Sequence, residues 1–176
     1  LSNYVEIVNS NIKLKKRKII LAVGRLNYQK GFDILIEAFT LSNLYKNGWQ
    51  LHIIGEGECK EILKKQSNTC SASKFIYIHG QKKNIDQYYK TSSIFVLPSR
   101  FEGMPNVLLE AISYRIPCII SSSVKSAFEF LKHKESCISF ESLNIRDLSR
   151  SLSYISKHPV RKKKMSENAF KALNKK

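Results

Sequence analysis

Two loops of this chain gather side chains suited to phosphate and to polar hydroxyls. In Gly24-Arg-Leu-Asn-Tyr-Gln-Lys-Gly31, a guanidinium at Arg25 and an ammonium at Lys30 flank a short turn. Arg offers a planar fork to two phosphate oxygens, and Lys acts as a point charge. Between a strand end and a helix start, both would converge on one point that the helix terminus also makes positive. Alone, the segment fits equally well with two solvated basic side chains. The second loop reads Ser99-Arg-Phe-Glu-Gly-Met-Pro-Asn-Val-Leu-Leu-Glu110. Pro105 suits a first helical turn, so Gly103 and the amides after it form a cradle for an anion. Glu102 precedes that helix and Glu110 lies within it. Carboxylates beside such amides are poor phosphate ligands but good acceptors for sugar hydroxyls. Glu110 could be a plain surface glutamate, but it follows Leu108 and Leu109 on an apolar helix, where an unpaired carboxylate is costly.

These loops need a scaffold, and the hydrophobic pattern supplies one. Lys18-Ile-Ile-Leu-Ala-Val23 is an apolar run closed by Gly24, the look of a buried parallel strand. Phe32, Leu35, Ile36 and Phe39 then recur with a helical period over 31–44. Further strands are expected over 49–54, 75–78, 94–97, 117–121 and 137–140. Helices are expected over 58–66, 85–91, 106–114, 126–132, 145–156 and 160–173. The pattern predicts an α/β fold, an open parallel sheet of about six strands with helices on both faces. Ligands of such sheets sit beyond the carboxyl ends of the strands, where the loops 24–31, 55–57, 80–83 and 99–105 fall. Residues 1–17 read as a linker or the end of a preceding segment, and 18–176 as one domain. Leu1 in place of Met suggests an excerpt of a longer chain.

Thirty Lys and Arg against fourteen Asp and Glu give +16, a field that favours nucleotides, nucleic acid or an acidic membrane. A Lys-rich surface would give the same total. The basic clusters are spread along the chain and none alternates with aromatics, which argues against nucleic acid. The four cysteines form no CxxC pair and read as reduced thiols. No apolar run is long enough to span a bilayer, so any membrane contact would be peripheral. Neither an Asp-x-Asp pair nor a His/Cys cluster is present to hold a metal, and the four histidines read as structural or solvated. Tyr88 and Tyr89 read as helix packing.

Glu102 and Glu110, with seven residues between them, match the E-x7-E signature of retaining GT-B glycosyltransferases. The stretch Pro98-Ser-Arg-Phe-Glu-Gly-Met-Pro-Asn-Val-Leu-Leu-Glu-Ala111 resembles glycosyltransferase family 4, as do Gly24-Arg-Leu and Gln29-Lys-Gly-Phe-Asp33. Leu51-His-Ile-Ile-Gly-Glu-Gly57 and Ile78-His-Gly80 follow in the family's order. The likeness covers residues 18 to 157, the family's Rossmann-like C-terminal donor domain. It implies that Arg25 and Lys30 bind a donor diphosphate and stabilise it as leaving group. Glu110 would accept from ribose hydroxyls and Glu102 from hydroxyls of the transferred sugar. Gly24, Gly103, Met104, Pro105, Asn106 and Val107 would line the sugar and diphosphate, and His79 and Gly80 the base. The implied donor is a UDP-sugar, with GDP second and no metal. The implied reaction is transfer of a hexose or N-acetylhexosamine to a glycan, lipid-linked or protein acceptor in polysaccharide or lipopolysaccharide assembly. The acceptor half would be an N-terminal domain absent here, leaving this part inactive alone. A cytoplasmic place at the inner face of the plasma membrane, touching anionic lipid, is expected.

The sequence departs from the family at three glycines. Arg115 stands where the chain turns out of the E-x7-E helix, 122–127 replace a glycine-rich loop, and Cys137 replaces a glycine before the sixth strand. Glu129 resembles the family's downstream glutamate. These changes leave open a module that kept the fold but lost transfer, and charge alone leaves open a nucleic-acid-binding domain.

Overall fold

The computed structural model describes residues 16–103, 105–125 and 129–175. The strands are β1 (Ile19–Val23), β2 (Gln50–Ile54), β3 (Ile76–His79), β4 (Ile94–Leu97), β5 (Cys118–Ser121) and β6 (Ile138–Phe140). The helices are α1 (Phe32–Ser42), α2 (Lys60–Thr69), α3 (Asp86–Thr91), α4 (Asn106–Ser113), α5 (Ser122–Lys125), α6 (Ile145–Lys157) and α7 (Pro159–Leu173). The six strands pair in parallel in the order β3-β2-β1-β4-β5-β6.

Central strands are buried on both faces, which is why they read as unbroken apolar runs. Along β1, Ile20 and Ala22 face one core while Leu21 and Val23 face the other. The first core is completed by α1, α2 and α6, and the second by α3, α4 and α5. Phe32, Leu35, Ile36 and Phe39 of α1 are all buried, contributing on the order of 2 kcal/mol each. Helix α7 belongs to both cores, with Met165 in the first and Ala169 in the second. It therefore passes beneath the amino edge of the sheet.

The helix expected over 126–132 is not observed in its described part. Glu129 and Phe130 form a turn, and the helical turn comes earlier, over Ser122–Lys125. Ser123 anchors that turn by donating from Oγ to the Ser99 carbonyl at 2.9 Å. Residues 132–137 then close on themselves, the Ser136 amide donating to Lys132 O at 2.9 Å. Of the expected linker, residues 1–15 lie outside the described residues. Arg115 takes φ 52°, a left-handed conformation costing about 1 kcal/mol, partly offset by its guanidinium 4.4 Å from the Phe170 ring. Cys137 has no positive φ and is buried, so glycine is not needed there.

Candidate active site

Strands β1 and β4 are neighbours in the sheet, so the loops after them meet at its carboxyl edge although 72 residues separate their partners. Asn27 shapes the first loop by accepting from the Lys30 amide at 3.3 Å. Gly31 then caps α1 at φ 66°. The loop after β2 packs beneath it: Gly55 lies so near that a Cβ would stand 1.8 Å from Gly24 O. That close approach accounts for the Gly-Glu-Gly turn.

Lys30 Nζ and Glu102 Oε1 form an ion pair, with side chains only 16% and 8% exposed. Ser99 Oγ donates to the same Glu102 oxygen at 2.9 Å. Arg25 is exposed and joins no ion pair among the described residues. Of the two cations singled out by type, one neutralises the candidate sugar carboxylate and the other stays open to an anion.

A second tie between these loops was not anticipated from sequence. Arg100 Nη1 and Nη2 donate to the two carboxylate oxygens of Asp33 at 2.9 and 2.6 Å. Nη1 also donates to Tyr28 O at 2.7 Å, and the guanidinium lies 3.9 Å from the Tyr28 ring. The Arg100 amide donates to Gln29 O and the Gln29 amide group to Phe101 O. Burial works to raise the Asp33 pKa, but the Arg100 hydrogen bonds and charge outweigh it and hold Asp33 below the usual range. Opposite charges two residues past Gly31 and one past Ser99, on loops after adjacent strands, were the available signal.

Helix α4 begins at Asn106 after Pro105, with no side-chain cap on its first amides. Gly103 is exposed with open space where a Cβ would stand, and Met104 lies outside the described residues. Val107 and Glu110 are half-buried on α4. Glu110 has a partner for its cost of burial: the buried Tyr89 hydroxyl donates to Oε2 at 2.8 Å. Burial, then the Glu110 charge, push the Tyr89 pKa up, so the phenol remains a donor. Tyr89 itself stacks on Tyr114, ring centroids 5.1 Å apart. Replacing Tyr89 with Phe is expected to cost about 1 kcal/mol in urea unfolding, through loss of this buried hydrogen bond.

His79 ends β3, and its Nε2 lies 3.1 Å from Nδ1 of His52 on β2. Tyr88 packs 5.3 Å from the His79 ring. Gly80 follows, beside Glu56, whose Oε1 would stand 2.5 Å from a Cβ. The pairing of these histidines was invisible in a list of isolated positions. Burial, then His79, push the His52 pKa from 6.5 down to about 4. Burial, then Lys82, lower that of His79. Below pH 6.5 the unfolded chain takes up a proton that native His52 refuses. Stability is thus full above pH 6.5 and declines as pH falls towards 4. Thermal melts across this window should show the decline, and His52→Asn should flatten it.

Arg25, Lys30, Glu102, the start of α4, Glu110 and His79 thus lie along one edge of the sheet. No described helix is long and apolar enough to cross a membrane, and no group of three His, Cys, Asp or Glu that could hold a metal occurs among the described residues.

Residues 5–172 match the model of the family described as glycosyl transferases group 1. The amylovoran biosynthesis glycosyltransferase AmsD of Erwinia amylovora is 34% identical over 128 residues, covering 73% of this chain and 36% of that protein. An uncharacterized glycosyltransferase of Haemophilus influenzae is 29% identical over 175 residues, covering 96% of this chain and 50% of that protein. The chain thus spans half or less of the length of these curated relatives. Among solved structures, Staphylococcus aureus TarM superposes with TM-score 0.90 at 22% identity, over 100% of this chain and 36% of TarM. The fold is that of the Rossmann-like C-terminal domain of GT-B proteins. With the family model matched across nearly its whole length, the chain belongs to the glycosyl transferases group 1 family.

Proposed function

We propose that this chain is the donor-binding domain of a retaining, family 4 glycosyltransferase. The observation that carries the reading is Arg25, exposed and in no ion pair among the described residues, on the loop that also bears Lys30 of the Lys30–Glu102 pair, at an edge shared with the start of α4 and with Glu110. Arg25 and the α4 amides receive the diphosphate. As it enters, Lys30 shifts from Glu102 to a phosphate oxygen, and the released Glu102 accepts from hydroxyls of the transferred sugar. Glu110, held through Oε2 by Tyr89, offers Oε1 to the ribose. The base lies by His79 and Gly80. Stabilising charge on the departing diphosphate is the main catalytic term, worth about 3 kcal/mol per well-placed donor.

The donor is a UDP-sugar carrying a hexose or N-acetylhexosamine, with GDP the second choice and no metal required. The TarM structure, solved with UDP, supports that choice. The acceptor is a glycan, lipid-linked or protein group in polysaccharide or lipopolysaccharide assembly, bound by a companion N-terminal domain. The names of AmsD and of the Salmonella typhimurium lipopolysaccharide 1,6-galactosyltransferase support that setting. The enzyme works in the cytoplasm at the inner membrane face, in peripheral contact with anionic lipid, and this domain alone transfers nothing. Thermal melts with UDP, GDP and ADP, with and without EDTA, test the donor assignment. UDP should raise Tm by several degrees in either condition. A larger rise with ADP, or a UDP effect abolished by EDTA, would contradict it.

A further inference from the structure

Part of the basic excess behind the net charge of +16 meets at one edge of the sheet. Before each strand the chain returns to the amino edge of the sheet, opposite the loops of the candidate site. Lys18 arrives there before β1, Lys46 before β2 and Lys74 before β3, all exposed. Helix α7 runs across the same edge. Lys162 Nζ lies 5.7 Å from the ring of Trp49, just before β2, and Phe170 packs against Arg115, before β5. Because Met165, Ser166 and Ala169 form the buried side of α7, Arg161, Lys163 and Lys164 are left on its exposed side. None of these eight cations joins an ion pair among the described residues. Among the described residues, Glu135, in the turn before β6, and Glu167 on α7 are acidic residues of this region. Val160, at the corner between α6 and α7, is 82% exposed.

We infer that the amino edge of the sheet, centred on α7, is a docking face for an anionic lipid surface. The charge is complementary to acidic headgroups over an edge several strands wide, beyond any single bound ion. The helix lies along the face, and its exposed apolar corner at Val160 can enter the headgroup region between the cations. No exposed large aromatic residue lies on α7, so the stacking platform of a single-strand nucleic-acid groove is missing there. A domain docked by this edge keeps the opposite loops open to a soluble nucleotide sugar. The inference locates the membrane contact in the reading proposed above, but its test does not depend on donor binding.

Cosedimentation of the chain with vesicles tests it, using equal parts phosphatidylglycerol and phosphatidylcholine against phosphatidylcholine alone. The chain should bind the first and not the second. Arg161→Glu/Lys163→Glu/Lys164→Glu should weaken that binding about 100-fold or more, and Val160→Asp about tenfold. Lys64→Glu/Lys65→Glu/Lys82→Glu changes net charge equally but away from α7 and should cost less than tenfold. An unchanged melting temperature in the α7 variant shows that the fold is retained. Equal losses in the two triple variants would overturn the inference. So would absence of vesicle binding by a chain that binds single-stranded RNA at about 0.15 M salt.

Discussion

Lys30→Met should lose both stability and nucleoside diphosphate binding, and only the stability should return when Glu102→Gln is added. Lys30 and Glu102 are almost closed off from solvent, so removing the cation strands a buried carboxylate that keeps, among the described residues, the Ser99 hydroxyl. Breaking such a pair costs about 2–3 kcal/mol, whereas replacing both partners with neutral groups of similar shape is close to neutral. Binding behaves differently because the second change restores no cation. Loss of one charge-assisted contact to the diphosphate corresponds to about 100-fold in Kd in both variants. Urea unfolding and calorimetric titration of both variants separate the two roles. If the double variant stays as unstable as the single one, the ion pair is not what Lys30 contributes to the fold.

Gly31→Ala should be strongly damaging, costing about 3 kcal/mol or more. Gly31 adopts φ 66°, and a Cβ there would stand 2.3 Å from Pro98 O. Both groups are backbone, one capping α1 and the other following β4, so neither can step aside without moving an element. Gly48→Ala is the internal control. Its φ is 77°, but nothing lies within 4 Å of the added carbon, so only the conformational term of about 1 kcal/mol should appear. Denaturation midpoints of the two variants give the difference directly. Equal losses would show that the Pro98 contact is not what requires glycine.

The scaffold was legible because its signals are local. Runs such as Ile19–Val23 and the α1 stripe declare themselves within a few residues, and their ends fall within one or two residues of expectation. The helical turn falls at Ser122–Lys125, ahead of the expected 126–132, where Ser123 bonds the Ser99 carbonyl, a contact set by strand order. The same limit applied to the site. Types and spacing picked out Arg25, Lys30, Glu102 and Glu110 as chemistry-bearing. They could not reveal that Lys30 faces Glu102, that Arg100 clamps Asp33, or that Tyr89 holds Glu110. Each pair joins loops or helices far apart in sequence, and β1 lies beside β4 only once the sheet order is known. Charge followed the same rule in part: Lys18, Lys46 and Lys74, far apart in sequence, reach one edge because each precedes a strand of a parallel sheet.

Calorimetric titration with UDP, on this chain and on its Arg25→Ala/Lys30→Ala and Glu110→Gln variants, tests the donor site most directly. A donor site predicts saturable binding to the unmodified chain, lost in the cation variant and weakened about tenfold or more in Glu110→Gln. Binding that survives in both variants would place the nucleotide elsewhere and contradict the assignment.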